Sequence, residues 1–360
     1  MEVFLSVFSV ILLLAHVLPY VKNQHWVFRV ADFARIQLFA LQFFTFVIAL
    51  LFISKSVSVY WIAQQLLLVA LIIHNATILF KYTPLYKTSG SRSFDSTSSD
   101  SISMLSVNVY QFNNDYQRLI DLINQVNPDI VLTMESNKSW EVALSQLESK
   151  YPVSQKVAQE NTYGMHFFTK LKVKSKQTHH FVSDDVPSIT VELESRAGRS
   201  FKLYGVHPPP PSPTEEKTSK ERDGELLSVA KNVRIRNQPV VVVGDFNNVA
   251  WARSSVLFRK TSELIDARIG RGMIGTFHAR FWFLRCPIDL LFHSPEIFIA
   301  ELKTLENIGS DHLPMYCRFF INTQNNNQDH RVETLASGKM EKVNSMIEDG
   351  IEETSESRNT

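Results

Sequence analysis

Three apolar stretches crowd the start of this 360-residue chain: Val3 to Tyr20, Ile36 to Ile53 and Val59 to Phe80. Each is close to the ~20 residues that an α-helix needs to cross the hydrocarbon of a bilayer. Three of them in one block argue against a buried soluble core, so residues 1–82 are expected to form a membrane domain with three transmembrane helices. A cleaved signal peptide would need a basic n-region and a small-x-small site, and residues 1–20 show neither. Lys22, Arg29 and Arg35 precede the second stretch, and Lys81, Lys87 and Arg92 follow the third; the opposite side of a three-span chain has only Lys55. The positive-inside bias then places everything after Phe80 in the cytoplasm. His74, Asn75 and Thr77 read as a helix-end feature at the interface, with a polar seam inside the bundle as the alternative.

Beyond the apolar block the composition changes twice. Residues 83–101 are expected to be a flexible linker, because Ser, Gly, Thr and Asp dominate from Ser89 to Ser101. Residues 322–360 hold eight acidic and four basic residues with few apolar ones, which reads as a disordered acidic tail or at most one weak helix. The formal net charge of the whole chain is +1, leaving the body mildly basic and not visibly built for a polyanion. Cys286 and Cys317 are the only cysteines, and their spacing suits neither a disulfide framework nor a zinc cluster.

Residues 102–321 alternate between strand and helix patterns. Val240 to Val243 is a β-branched run that ends in Gly244-Asp245-Phe246-Asn247, the pattern of a strand buried on both faces that delivers polar groups from its tip. An ordinary Asx-turn explains Asp245 and Asn247 equally well on their own. Other strands are predicted at 103–109, 129–135, 166–169, 189–193, 201–206, 288–292 and 315–320, with helices over 116–126 and 139–147. Asn108, Glu135, His207, Asp245, Asn247, Asp289 and Asp311-His312 all fall within or beside an apolar run, mostly at its end. Such a set, delivered by several strands of a layered α/β domain, suggests one convergent pocket. Oxygen ligands without cysteine favour a hard divalent ion, Mg²⁺ or Mn²⁺, over zinc.

Asn108, Glu135, Tyr204-Gly205-Val206-His207, Gly244-Asp245-Phe246-Asn247, Ile288-Asp289-Leu290-Leu291-Phe292 and Gly309-Ser310-Asp311-His312-Leu313-Pro314 occur in the order and kind of the endonuclease/exonuclease/phosphatase superfamily. The chain most resembles its bacterial membrane-anchored members with three N-terminal spans, in which the His is followed by a proline run, here Pro208 to Pro211. The resemblance implies a four-layer α/β sandwich of two packed sheets flanked by helices, in a multi-pass protein of the inner cell membrane. It further implies Glu135 as principal metal ligand, supported by Asn108 and Asp311. Asp245 would orient or deprotonate the attacking water, with Asn247 holding water and phosphate. His312 would meet the phosphate with its tautomer fixed by Asp289, and His207 would stabilise charge on the phosphoryl oxygens. Two positions depart from the pattern: Tyr110 replaces an acidic residue found in some relatives, and Leu290 replaces a His found in many.

Remaining features are assigned more plainly. His166 reads as a core or edge-strand histidine, and the prolines 208–213 as a rigid rim rather than a partner's ligand. Arg268, Arg271, Arg280 and Arg285 surround Phe277, Phe281, Trp282, Phe283 and Leu284. Either the aromatics fill core and the arginines are solvated, or this is a basic aromatic loop that meets substrate phosphates or lipid headgroups, with Arg280 and Arg285 as substrate-binding candidates. Three functions follow. The first is a membrane-anchored, divalent-metal-dependent phosphoesterase acting on a lipid or other phosphoester. The second is a membrane-tethered nuclease acting on DNA or RNA, and the third a silent scaffold, which has no use for this constellation. The bilayer and a phosphoester are the expected partners; no protein partner can be inferred.

Overall fold

A computed structural model describes residues 2–52, 58–88 and 100–353. The serines of 89–99, Ile53 and the last seven residues of the tail lie outside the described residues. The apolar block forms α1 (Glu2–Val17), the short α2 (Val30–Phe33), α3 (Arg35–Leu51) and α4 (Val59–Phe80). Among the described residues, two helical segments, Val3–Tyr20 and Val59–Phe80, are long and apolar enough to cross a membrane. The third expected span reaches that length only when the segment Trp26–Phe33 is joined to α3 across a 67° bend. The bend starts where the chain was expected to be a plain loop.

A polar seam ties these helices together. Asn75 is buried and donates to the Gln42 carbonyl at 3.0 Å, while its own carbonyl accepts from Arg35 at 3.0 Å. Asn75 therefore faces the bundle interior, whereas His74 meets the Tyr20 hydroxyl at the bundle margin. Side-chain amides placed this way bind helices to one another.

Strands β1 (Ile102–Asn108), β2 (Ile130–Met134), β3 (Val153–Val157) and β4 (Met165–Thr169) join one six-stranded sheet. Strands β5 (Lys172–His179), β6 (Ser188–Glu194), β7 (Ser200–Val206), β8 (Val240–Asp245), β9 (Ile265–Asp266) and β10 (Asp289–His293) build the other. The last two, β11 (Ile297–Thr304) and β12 (Met315–Ile321), return to the first sheet, whose order is β11-β12-β1-β2-β4-β3; the second runs β5-β6-β7-β8-β10-β9. At the centre of each sheet lies a parallel pair, β1 with β2 and β7 with β8. The sheets pack face to face over Leu132, Phe167, Leu203, Val241, Val243 and Phe319.

Helices cover the outer faces. α5 (Tyr116–Val126) and α6 (Lys138–Leu144) bury Leu119, Ile123 and Trp140 on the first sheet. α7 (Lys220–Arg234) and α8 (Arg253–Ser262) bury Leu226, Val233 and Phe258 on the second, and Leu79 and Tyr82 from the end of α4 enter the same cluster. The result is the expected four-layer sandwich, with the apolar block docked on one outer layer. Of the two readings of the tail, disorder or one weak helix, the described residues show the helix. α9 (Lys339–Glu352) lies along α7, its Val343 fully buried and Lys220 bonded to Glu353 at 2.7 Å. Its few apolar residues fall on one helical face, which a composition count does not register.

Candidate active site

Strand register assembles the site. In the first sheet Asn108 closes β1 opposite Met134, which sets its side chain beside Glu135. In the second sheet Asp289 pairs directly with Asp245. The parallel β7–β8 pairing matches Val206 to Gly244, so the next residues, His207 and Asp245, leave side by side. Asp311 and His312 stand just ahead of β12, held by Ser310, whose hydroxyl donates to the Asn108 carbonyl at 2.8 Å. Tyr110, Glu135 and Asn247 have left-handed backbones with φ of 58°, 58° and 48°. Non-glycine residues rarely adopt that conformation, and where they do it often marks a functional site.

The polar groups are closely coupled. Asn108 donates through Nδ2 to Glu135 Oε1 at 2.8 Å and to Asp245 Oδ2 at 3.1 Å, while its Oδ1 accepts from the Tyr110 amide. Asn108, expected among the metal ligands, thus joins two carboxylates through its nitrogen and points its oxygen at the backbone. His312 Nδ1 lies 2.8 Å from Asp289 Oδ2, and its Nε2 is 3.5 Å from Asp245 Oδ2. His207 Nε2 approaches the same Asp245 oxygen at 3.9 Å. Asn247 donates its amide N–H to Asp245 Oδ1 at 2.8 Å and its side chain to the Pro208 carbonyl at 2.9 Å, tying the Asp loop to the proline rim.

Burial sets the electrostatics. It pushes the Glu135 carboxyl up to about 7 and the His207 imidazole down to about 4. Asp245 is also raised, first by burial and then by Asp289. Burial alone would lower His312, but Asp289 and Asp245 overcome it and hold the ring up at about 10. Several buried carboxylates share one small region with few compensating cations, an arrangement that a divalent ion would stabilise. Asp245, Asp289 and His312 have ligand atoms within 4.8 Å of one another, and Glu135 and Asp311 line the same pocket as Asp245 and His312.

That pocket, of ≈500 Å³, has walls the sequence did not announce. Trp26, Val30 and Phe33 come from the segment between the first two apolar helices, and Tyr163 from the turn before β4. The expected proline rim is present through Pro210, Pro211 and Pro213. Arg280 and Arg285, expected to bind substrate, do not line the pocket. Arg285 braces its own loop through the Ala279 carbonyl at 2.6 Å, and Arg280 is exposed. Arg268 is fully buried and bonds the Asp289 carbonyl at 3.1 Å, so it supports the site from behind. Arg222 on α7 does the same for the Asn247 carbonyl at 3.0 Å. The aromatics of the loop are largely exposed: Trp282 retains 78% of its surface, and Phe281, Phe283 and Leu284 about half. Gln37 in the first turn of α3 holds the Phe283 carbonyl at 2.6 Å, which keeps this aromatic loop against the apolar block.

Fold and site define an α/β sandwich with an acid–imidazole centre at one edge of its sheets. The chain belongs to the Endonuclease/Exonuclease/phosphatase family, whose model matches residues 105–312. That family includes metal-dependent phosphodiesterases and nucleases. Among solved structures, D. rerio TDP2 complexed with single-strand DNA product is 17% identical, with 61% of this chain and 98% of that chain covered at a TM-score of 0.52. The human Nocturnin catalytic domain with bound sulfate is 16% identical, covering 62% and 95% at 0.51. An endonuclease/exonuclease/phosphatase protein from Bacteroides vulgatus is 19% identical, covering 62% and 99% at 0.51. These likenesses are of fold. Comparison with curated proteins gives no match.

Proposed function

We propose that the protein is a membrane-anchored, divalent-metal-dependent phosphoesterase that hydrolyses an amphiphilic phosphoester at the bilayer surface by in-line attack of water. One observation carries this reading: Glu135, Asp245, Asp311 and His312, drawn from three separate strand ends, open onto one pocket. The donors fit a hard ion, because Glu135 and Asp311 offer only carboxylate oxygens, with Asp245 adjacent; Mg²⁺ or Mn²⁺ suits such a set. When bound, the ion would supply Lewis-acid polarisation of the phosphoryl oxygen.

The chain's own groups take the remaining roles. Asp245, braced by Asn108 and the Asn247 amide, orients the attacking water and accepts its proton. Asn247 lines the pocket beside it and holds water and phosphate. His312, fixed at Nδ1 by Asp289, presents Nε2–H as a cationic donor to the phosphate. His207 donates to charge developing on the phosphoryl oxygens. Asn108 serves by positioning Glu135 and Asp245.

The apolar wall of Trp26, Val30 and Phe33 and the exposed Phe281–Leu284 loop support an amphiphilic substrate over a nucleic acid, since a polyanion would need a broad cationic surface. The basic residues flanking the apolar helices support an inner-membrane protein with its catalytic domain on the cytoplasmic side. The test uses the full-length protein in nanodiscs with Mg²⁺ or Mn²⁺, challenged with phospholipids, sphingomyelin, inositol phosphates, plasmid DNA and RNA. Hydrolysis of a lipid phosphoester is expected; cleavage of nucleic acid with no lipid phosphoester cleaved would overturn the substrate class.

A further inference from the structure

A second cleft, of ≈560 Å³, opens where the ends of α1 and α4 meet the catalytic domain. Five basic side chains line it: Arg35, Lys81, and Arg253, Arg259 and Lys260 from one face of α8. Against them stand two carboxylates, both already engaged. Asp32 pairs with Arg35 at 2.7 Å, and Glu333 is shared by Arg259 at 2.7 Å and Lys260 at 3.3 Å. Among the described residues, neither Lys81 nor Arg253 has a carboxylate within 4.0 Å. Arg35 and Arg259, both more than nine-tenths buried, each keep a buried Nε–H with no acceptor.

Like charges gathered into a concave, partly desolvated space repel one another unless an anion fills it. Guanidinium groups suit phosphate oxygens in particular. The remaining wall is amphipathic: Pro19, Ile78, Val256 and Trp251 provide apolar surface, and Tyr20 and Thr77 provide hydroxyls. Trp251 is fixed by its indole N–H to the Asp32 carbonyl at 2.8 Å. A phosphate with an apolar body attached matches this lining better than a free anion does.

We propose that this cleft is a binding site for the phosphate of an anionic lipid headgroup, separate from the catalytic pocket. The site rests on the reading that α1 and α4 stand in a bilayer, whose anionic lipids concentrate beside basic residues at the membrane surface. It also touches the catalytic wall. Short α2 presents Val30 and Phe33 to the catalytic pocket and Asp32 to this cleft, so an occupant meets the back of that wall.

Native mass spectrometry of the full-length protein in non-ionic detergent tests the site without requiring turnover. Phosphatidylglycerol, phosphatidylcholine and inorganic phosphate are the probes, each titrated onto wild type, Lys81→Gln, Arg253→Gln, Arg253→Lys and Asp245→Asn. Phosphatidylglycerol should be retained in preference to phosphatidylcholine, with affinity falling roughly fivefold for each cation removed. Arg253→Lys should restore most of the loss, and Asp245→Asn should bind as wild type even if the protein proves to hydrolyse no lipid. Equal retention of both lipids, or binding unchanged in Lys81→Gln and Arg253→Gln, would overturn the proposal. Binding of inorganic phosphate without retention of phosphatidylglycerol would overturn the lipid as its source.

Discussion

Tyr110, Glu135 and Asn247 share a left-handed backbone, and each stands where a strand gives way to the pocket. The polar residues at such points were legible because each interrupts an apolar run, a contrast visible in one dimension. Arg222, Arg268 and Ser310 were not legible as site residues. Their partners are the backbone carbonyls of Asn247, Asp289 and Asn108, each between 21 and 202 positions away, and no local pattern encodes such a contact. Arg280 and Arg285 fall outside the pocket lining for the opposite reason: proximity in sequence to aromatics said nothing about which way the loop turns. One buried carboxyl outside the site makes a prediction of its own. Glu225 on α7 accepts from the Ser188 hydroxyl at 2.7 Å, and burial raises it from 4.5 to about 7. Below pH 4.5 it is protonated in both folded and unfolded chains and has no effect on stability. Between 4.5 and 7 the folded form holds the extra proton, so stability falls as pH rises, and above 7 the loss is complete. Glu225→Gln should therefore raise the melting temperature more at pH 8 than at pH 5, by up to roughly 3 kcal/mol of stability at the higher pH. An equal change at both pH values would show that Glu225 is not the titrating group.

Elements divide by how they are buried. β1, β2, β7, β8 and β10 were legible as apolar runs because each lies inside a sheet. β5 was missed because it is a mostly exposed strand of Lys, Ser, Gln and Thr at the edge of its sheet, where charge guards against pairing with other chains. β3 has the same edge position in the other sheet. β8 shows how tightly an inner strand is set. Gly244 has φ +149°, and a Cβ there would lie 1.9 Å from the Val206 carbonyl oxygen on β7. That contact is backbone against backbone and cannot be relieved by a rotamer change. Gly244→Ala should either separate β7 from β8 or block folding, with a loss of several kcal/mol, on the order of the largest single-site effects. Thermal unfolding monitored by circular dichroism would register it, and a variant melting within 2–3 °C of wild type, about the shift of a minor perturbation, would show that the strand pair is more pliable than its geometry implies.

At the scale of the whole molecule, the apolar block and the catalytic domain share surfaces instead of being joined only through the linker. The Trp26 amide donates to the Lys217 carbonyl at 3.0 Å, the Ser219 amide to Gln24 at 2.9 Å, and the Gly270 amide to Lys81 at 2.9 Å. Composition could separate these parts but could not show that they dock, because each of these bonds, like those of Gln37 and Trp251, ends on a backbone carbonyl. The tail shows the same limit. Its acidic composition allowed a helix but did not show that it packs on α7, the element that also carries Arg222. A chain ending at Asn322 should lose the burial of Val343 and the Lys220–Glu353 pair, lowering stability by roughly 1–3 kcal/mol; a melting temperature equal to that of the full chain would contradict the packing. The central claim, a single ion-dependent centre built from strand ends of both sheets, has a more direct test. Full-length protein is stripped with a chelator, and hydrolysis of bis(4-nitrophenyl) phosphate is followed before and after Mn²⁺ is restored. Activity should appear only once the ion returns and should fall about 10²–10³-fold in Asp245→Asn. Hydrolysis that survives the chelator, or that is unchanged in Asp245→Asn, would contradict it.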